Sequence, residues 1–493
     1  MGRGVLPVGG TPPLYSQARR NFCKGGHFME RAAEAIAAIN SAVNSVVWGP
    51  VMLLLLVGSG AYLTARTGWI QATRFGYMLR KTIGSLLKKR EKGRNEGKNL
   101  TAFQAMSTAL ASTVGTGNIA GVTGALFAGG PGAVFWMWVA AFFGMFTKFS
   151  EILLAVKYRE VDRDGLYHGG PMYYIEKGLG MKWLAVLFAV AAGLASFGIG
   201  NIAQGAEAAA SLKSLFGWDG LTSGIVLASV VAVVILGGAK RIGQITSYLV
   251  PFMAVFYILA GLAVIALRIT AVPAAFAVIF RSAFSLEAVG GGVFGYAILT
   301  AMRNGFSRGV FSNEAGLGSA PMAHAAADTR EPVEQGLWGM FEVFVDTIVI
   351  CTITALVVIL SGILDTPGGL DALGGSSAAA VAAFNAILPG ALGGRVLQIS
   401  ILLFALSTIL GWSYYGVCCW GYLSGNSRAV LFLYKVAFIL VCIVGATGSG
   451  QLMWDISDTL NGMMAIPNLI ALLLLSGPPI PPPRAYFQNP LPG

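Results

Sequence analysis

The sequence predicts an all-α protein that crosses a membrane many times, and three observations carry that prediction. Hydrophobic residues make up 55% of the 493 and charged residues only 11%, with a mean hydropathy of +0.70, far from the composition of a water-solvated domain. Uncharged apolar segments of about 20 residues, enough to cross a hydrocarbon core, recur along the whole chain. Basic residues gather in alternate connections between those segments, as they do in loops retained on the cytoplasmic side.

Eleven spans follow, in rough limits 46–65, 101–128, 131–156, 183–207, 221–239, 245–267, 288–306, 335–363, 396–421, 429–446 and 456–475. Residues 1–45 read as a tail, and Met29, which opens the amphipathic "MERAAEAIAAINSAV", is a candidate true start that would leave 1–28 outside the protein. Spans two and three form a hairpin reversed at "GGPG" (129–132). The Pro-rich segment 476–493 follows the last span as a second tail.

Charge sets the expected sidedness. Segment 66–98 holds ten Lys/Arg against two acids, segment 148–182 holds six Lys/Arg, Lys240 and Arg241 follow span five, and Arg303, Arg308 and Arg330 follow span seven. Segments 365–384 and 445–455 hold no Lys or Arg. The expected protein is a multi-pass plasma-membrane protein with its N-terminus outside and C-terminus cytoplasmic.

Other classes are excluded on residue grounds. The net charge of +11 is spread between spans, with no basic domain large enough to bind nucleic acid. Cys23, Cys351, Cys418, Cys419 and Cys442 lack metal-ligand spacing, and His27, His168 and His324 do not cluster, so no resident metal or cofactor is expected. An intramembrane enzyme would need a nucleophile or metal set, and a channel a repeated filter; neither pattern occurs.

Span two is interrupted by glycine in "STVGTGNIAGV" (112–122). Gly117, Gly121 and Gly124 have the spacing of close helix packing. The alternative is a helix broken at mid-depth, where freed N–H groups suit a carboxylate and freed carbonyls suit a cation. Spacing alone leaves both open.

Together with "GGPGAVFWMWVAAFFG" (129–144), "NEAGLGSAPMAHAAA" (313–327) and "STILGWSYYG" (407–416), this segment resembles the alanine or glycine:cation symporter family. The resemblance runs from about Met29 to Leu475. It implies a leucine-transporter-like fold of one leading helix plus two inverted five-helix repeats, here 101–267 and 288–475 within a transporter domain 46–475. An odd repeat length forces the second copy to insert the opposite way, in agreement with the loop charges of spans two and seven.

The resemblance implies an alternating-access symporter that couples Na+ to uptake of alanine or glycine within the lipid bilayer. Amides at Thr116 and Gly117 would hold the substrate carboxylate, Asn118 and Gln204 would assist, and Trp412 would exclude larger side chains. A membrane-interface Trp is the competing reading of Trp412. Carbonyls of Ala111, Val114 and Phe404 with hydroxyls of Ser407 and Thr408 would bind Na+. Thr113 and Asn118 would serve a second ion, with Thr300 as a partner from span seven.

The expected break in span seven is "MRNGFSRG" (302–309), with Phe306 as a pocket wall, although a cytoplasmic loop fits the same residues. Glu342 and Asp346, four apart on span eight, suggest a gate or proton relay, and hence H+ coupling as the rival mechanism. They read equally well as acids in a wet vestibule beside an arginine. Glu207 reads as vestibule-facing or solvated, and Lys148 with Glu151 as a surface pair.

Overall fold

The computed structural model describes residues 34–86, 99–284, 291–329, 331–448 and 451–477. The proposed start at Met29, Cys23, His27, Arg330 and residues 478–493 of the proline-rich tail lie outside the described residues. Helices dominate, because in hydrocarbon a helix pairs its own backbone N–H and C=O groups without water or a neighbouring strand. Among the described residues, eight helices are long and apolar enough to cross a bilayer.

In chain order the elements that build the site are α1 (Glu34–Thr67), α2 (Ala102–Thr113), α3 (Ala120–Gly129), α4 (Gly132–Lys157), α5 (Pro171–Leu179) and α6 (Lys182–Phe216). Then come α7 (Gly220–Ile235), α8 (Gly238–Leu267), α9 (Val272–Ala283), α10 (Gly291–Asn313), α11 (Ala320–Ala325) and α12 (Pro332–Ser361). The chain closes with α13 (Ser376–Ile387), α14 (Leu392–Ser424), α15 (Arg428–Ala446) and α16 (Gln451–Leu474).

The first span begins earlier than the sequence suggests, since helix already forms at Glu34. The hairpin at 129–132 is as expected: α3 ends at Gly129, Gly130 takes φ +69, and α4 starts at Gly132. Segment 101–128 is not one helix but two, α2 and α3, separated by a short 3-10 turn at Thr116–Asn118. Thr101 starts α2 with a reciprocal cap, its hydroxyl accepting from Gln104 N and its own N donating to Gln104 Oε1, both at 3.0 Å.

Span seven is broken as well, but not at 302–309. α10 runs helically through Gly305 and Gly309 to Asn313, and the chain unwinds over 314–319 before α11. Gly305 and Gly309 serve packing instead: a Cβ on Gly305 would lie 2.4 Å from the Ala133 carbonyl oxygen, and one on Gly309 3.2 Å from the Ala140 Cβ, both on α4. Left-handed backbone marks the true break, at Glu314 (φ 55), Gly316 (φ 89) and Gly318 (φ 82). Arg303 and Arg308 therefore ride on α10, ahead of the break, and leave the group of loop charges that follows span seven.

The two broken spans are joined at the end of the bundle that carries the basic loops. Leu100, just before α2, pairs with the segment after α11, accepting from Asp328 N at 2.7 Å. Arg159, in the loop after α4, donates to the carbonyls of Ala325 (3.0 Å), Ala327 (2.7 Å) and Thr329 (2.8 Å). In the same loop Asp162 is raised by burial but lowered further by His168 and the Leu166 and Asp164 amides, so its carboxyl sits below the usual carboxylate range.

Candidate functional site

The helix of α2 stops because a side chain takes its next amide. Gly115 N, which a continuing helix would close on the Ala111 carbonyl, donates instead to Asn118 Oδ1 at 2.9 Å. Asn118 N closes on the Gly115 carbonyl at 3.1 Å rather than on Val114. The carbonyls of Ala111 and Val114 are thereby released from the helical ladder. The broken-helix alternative for "VGTGN" is the one the chain adopts.

α14 faces this break. Ser407 Oγ donates to the Phe404 carbonyl (2.9 Å) and reaches the Val114 carbonyl (3.5 Å). Thr408 Oγ1 is buried and has no hydrogen-bond partner, and it lies 2.6 Å from where a Cβ on Gly115 would stand. Gly115 is required here by that close approach. Val114, Gly115, Phe404, Ser407 and Thr408 thus converge, one turn from Ala111, and a hydroxyl left unpaired in a dry interior is costly unless a ligand engages it. An oxygen-rich pocket of this kind suits a hard cation.

Beside the break lies a narrow cavity with free room of about 20 Å³, lined by Thr113, Gly117, Gln204, Phe311, Glu314 and Trp412 among others. Thr116 Oγ1 donates to Gln204 Oε1 at 3.0 Å, linking the 3-10 turn to α6. Trp412 is 2% exposed, which removes the interface reading. It packs on Gly200, where a Cβ would come within 2.3 Å of the Trp412 Cβ, in a π-turn at Gly198–Ile202 that widens α6 at this level.

Phe306 does not reach this cavity. It is buried against Trp136 of α4, ring centroids 5.5 Å apart; one and a half turns further along α10, Phe311 is the aromatic that lines it. Sequence reasoning also missed Glu314. It begins the unwound segment, is 4% exposed, accepts from Ser319 Oγ at 2.5 Å, and faces the same cavity as Thr408 and Gln204. The residues before it, "MRNGFSRGVFSN", are polar as well as apolar, and no local pattern in "NEAGLG" marks the acid as a cavity residue.

Thr113 and Asn118 do not meet Thr300, which lies more than three turns before the break on α10. Thr113 Oγ1 donates to Glu342 Oε1 at 3.2 Å. Asn118 Nδ2 donates to Asp346 Oδ1 at 2.6 Å. Ser312 and Thr347 hydroxyls donate to Asp346 Oδ2, both at 2.8 Å. The span-seven side chain brought to this cluster, through Asp346, is Ser312 at the end of α10, not Thr300.

Glu342 and Asp346 are fully buried, and among the described residues no arginine bonds either of them. Lys148 Nζ bonds Glu342 Oε1 and the Asn313 carbonyl, each at 2.7 Å; His324 Nε2 bonds Glu342 Oε2 at 3.1 Å. Lys148 is thus buried, and so is Glu151, which pairs with Asn468 rather than forming a surface pair with Lys148. Lys148 satisfies the last carbonyl of α10 as a cation at a helix C-terminus does. Through Glu342 it ties the break in span seven to the break in span two. Glu207 lines a wider cavity together with Thr116 and Gly117 of the turn and Phe311 of α10.

Comparison with known proteins agrees with this architecture. The chain is 51% identical to the "Sodium/alanine symporter AgcS" of Methanococcus maripaludis, over 92% of this chain and 97% of that protein. It is 38% identical to the "Probable sodium/glutamine symporter GlnT" of Bacillus subtilis, over 91% and 89% of the two chains. In fold it is similar to a Na+-coupled sialic acid symporter, solved in a substrate-bound outward-open state, with a TM-score of 0.50 at 11% identity, covering 89% of this chain and 97% of that one. The profile of the sodium:alanine symporter family matches residues 33–490, and the chain belongs to that family: it is a membrane transporter, not an enzyme.

Proposed function

We infer that the protein couples inward Na+ flux to uptake of alanine and glycine by alternating access across the plasma membrane. The observation that carries the reading is the shared turn: the released Val114 carbonyl faces Ser407, with Thr408 beside Gly115, on one side, while Gly117 lines the central cavity and Thr116 bonds Gln204 on the other. Na+ would be held by Ala111, Val114, Phe404, Ser407 and Thr408. The substrate carboxylate would meet amides at Thr116 and Gly117 with help from Gln204, and its ammonium would meet Glu314.

Trp412 and Phe311 bound the small cavity, which supports a substrate with little or no side chain. Rejecting one methyl group gains only about 1 to 3 kcal/mol, so alanine and glycine should both be carried. A second Na+ would use Asn118 with Asp346 and Ser312, the carboxylate offsetting its charge. The eleven crossings combine the eight long helices with α7 and the two broken spans, arranged as repeats 101–267 and 288–475. Loop charge supports an external N-terminus and a cytoplasmic C-terminus.

The rival, H+ coupling through Glu342 and Asp346, is disfavoured by their partners, since Lys148 neutralises one and three donors satisfy the other. Alanine uptake into proteoliposomes decides between them. An inward Na+ gradient should drive accumulation that a proton gradient alone does not. Equal uptake with and without sodium rules out the proposed coupling.

A further inference from the structure

We propose that the cavity between Glu207 and Arg308 is a second, weaker amino-acid site, a waiting station through which the zwitterion reaches the central one. The inference rests on reading the central site as an amino-acid site. The cavity lies at the end of the bundle opposite the Leu100–Asp328 closure. It offers free room of about 210 Å³ and is lined by Thr116, Gly117, Glu207, Arg308, Phe311 and Ser377, among others. Gly117 and Phe311 also line the central cavity, so the floor of one is the roof of the other.

Two opposite formal charges face this space from different helices, Glu207 from α6 and Arg308 from α10. Among the described residues Arg308 closes no ion pair with Glu207 or with any other acid. Glu207 Oε2 is turned to Ser377 Oγ of α13, at 2.7 Å. The guanidinium lies 5.6 Å from the centre of the Phe311 ring. Its field reaches Asp458 of α16, but that carboxylate accepts from Asn44 Nδ2 at 3.0 Å.

Half-buried opposite charges that share a cavity without meeting forgo their mutual attraction, and each bears part of a desolvation penalty. A ligand carrying both charges relieves both. An α-amino acid is the smallest such ligand, with a carboxylate suited to the planar fork of arginine and an ammonium suited to Glu207. The cavity width depends on glycine: a Cβ on Gly124 would lie 3.0 Å from Ser376 Oγ, across the same space. Gly117 and Phe311, which line both cavities, form the partition that transfer to the central site crosses.

Equilibrium dialysis of radiolabelled alanine against the purified full chain, with and without Na+, tests this. The expected wild-type isotherm has two phases, a tight one that requires Na+ and a weak one that does not. Arg308→Gln and Glu207→Gln should each abolish the weak phase and raise the KM for uptake roughly tenfold, the scale of one lost charge-assisted contact. Both should keep the Na+-dependent phase, which also shows that they fold. Arg308→Lys, keeping charge without the fork, should retain a weakened second phase. A single Na+-dependent phase in the wild type, or two unchanged phases in both glutamine variants, overturns the station while leaving the central site intact. Absence of the Na+-dependent phase in the wild type would instead overturn the reading of the central site.

Discussion

Asn118 determines where α2 ends. Its carbonyl takes the Gly115 amide and its amide holds Asp346, so one side chain both opens the turn and anchors it to α12. Asn118→Ala should let Gly115 N return toward the Ala111 carbonyl and reclaim a proposed sodium ligand. The expected result is a loss of Na+ affinity of tenfold or more, the worth of about 1.4 kcal/mol, read from the Na+ dependence of alanine uptake; unchanged Na+ dependence would refute this role. Trp412→Ala removes the cavity's largest wall, and uptake of glutamine or leucine should appear where the parent protein shows none. Thr116, Gln204, Ser407, Thr408 and Trp412 were legible in the sequence as candidates because their residue types suit the proposed chemistry, and the fold brings them around one turn. Phe306 was chosen in place of Phe311 because a helix presents a different face every residue, and no periodicity marks which face of α10 meets the cavity. Glu314 was illegible for another reason: its role depends on a left-handed backbone at a break the sequence placed a turn or more too early.

At the scale of elements, α4 is the post against which both broken spans are set. α10 and α12 pack along it, and Lys148 on α4 reaches the end of α10 and Glu342 on α12. Removing one member strands a buried charge, which costs about 3–5 kcal/mol, whereas removing both costs less. Lys148→Met and Glu342→Gln should therefore each lower the thermal midpoint in detergent more than the double variant does. Additive losses would show that the two do not act as a pair. Sequence reasoning took Lys148 for a surface residue because charge near the predicted end of a span ordinarily means solvent. The pairing arises from three segments distant in sequence, residues 148, 324 and 342, and no local pattern encodes it.

At the scale of the molecule, one arrangement is used twice: a first helix opening each proposed repeat, broken at mid-length, with the two breaks joined through Glu342, Lys148 and Asp346. The spans themselves were largely readable because hydrocarbon imposes a length and forbids charge. The second break was misplaced because glycine answers two demands. Gly305 and Gly309 admit α4 closely, while Gly316 and Gly318 supply positive φ, and composition alone does not separate these uses. One turn that serves ion and substrate together, as proposed, would also make coupling compulsory, since each ligand would stabilise the geometry the other needs.

That claim is tested most directly by measuring both affinities on the purified protein, alanine binding across a range of Na+ and Na+ binding across a range of alanine. The account predicts that saturating Na+ tightens alanine by the same factor by which saturating alanine tightens Na+, and that Thr408→Ala shrinks both factors together. Alanine affinity independent of Na+ in the unaltered protein would contradict it.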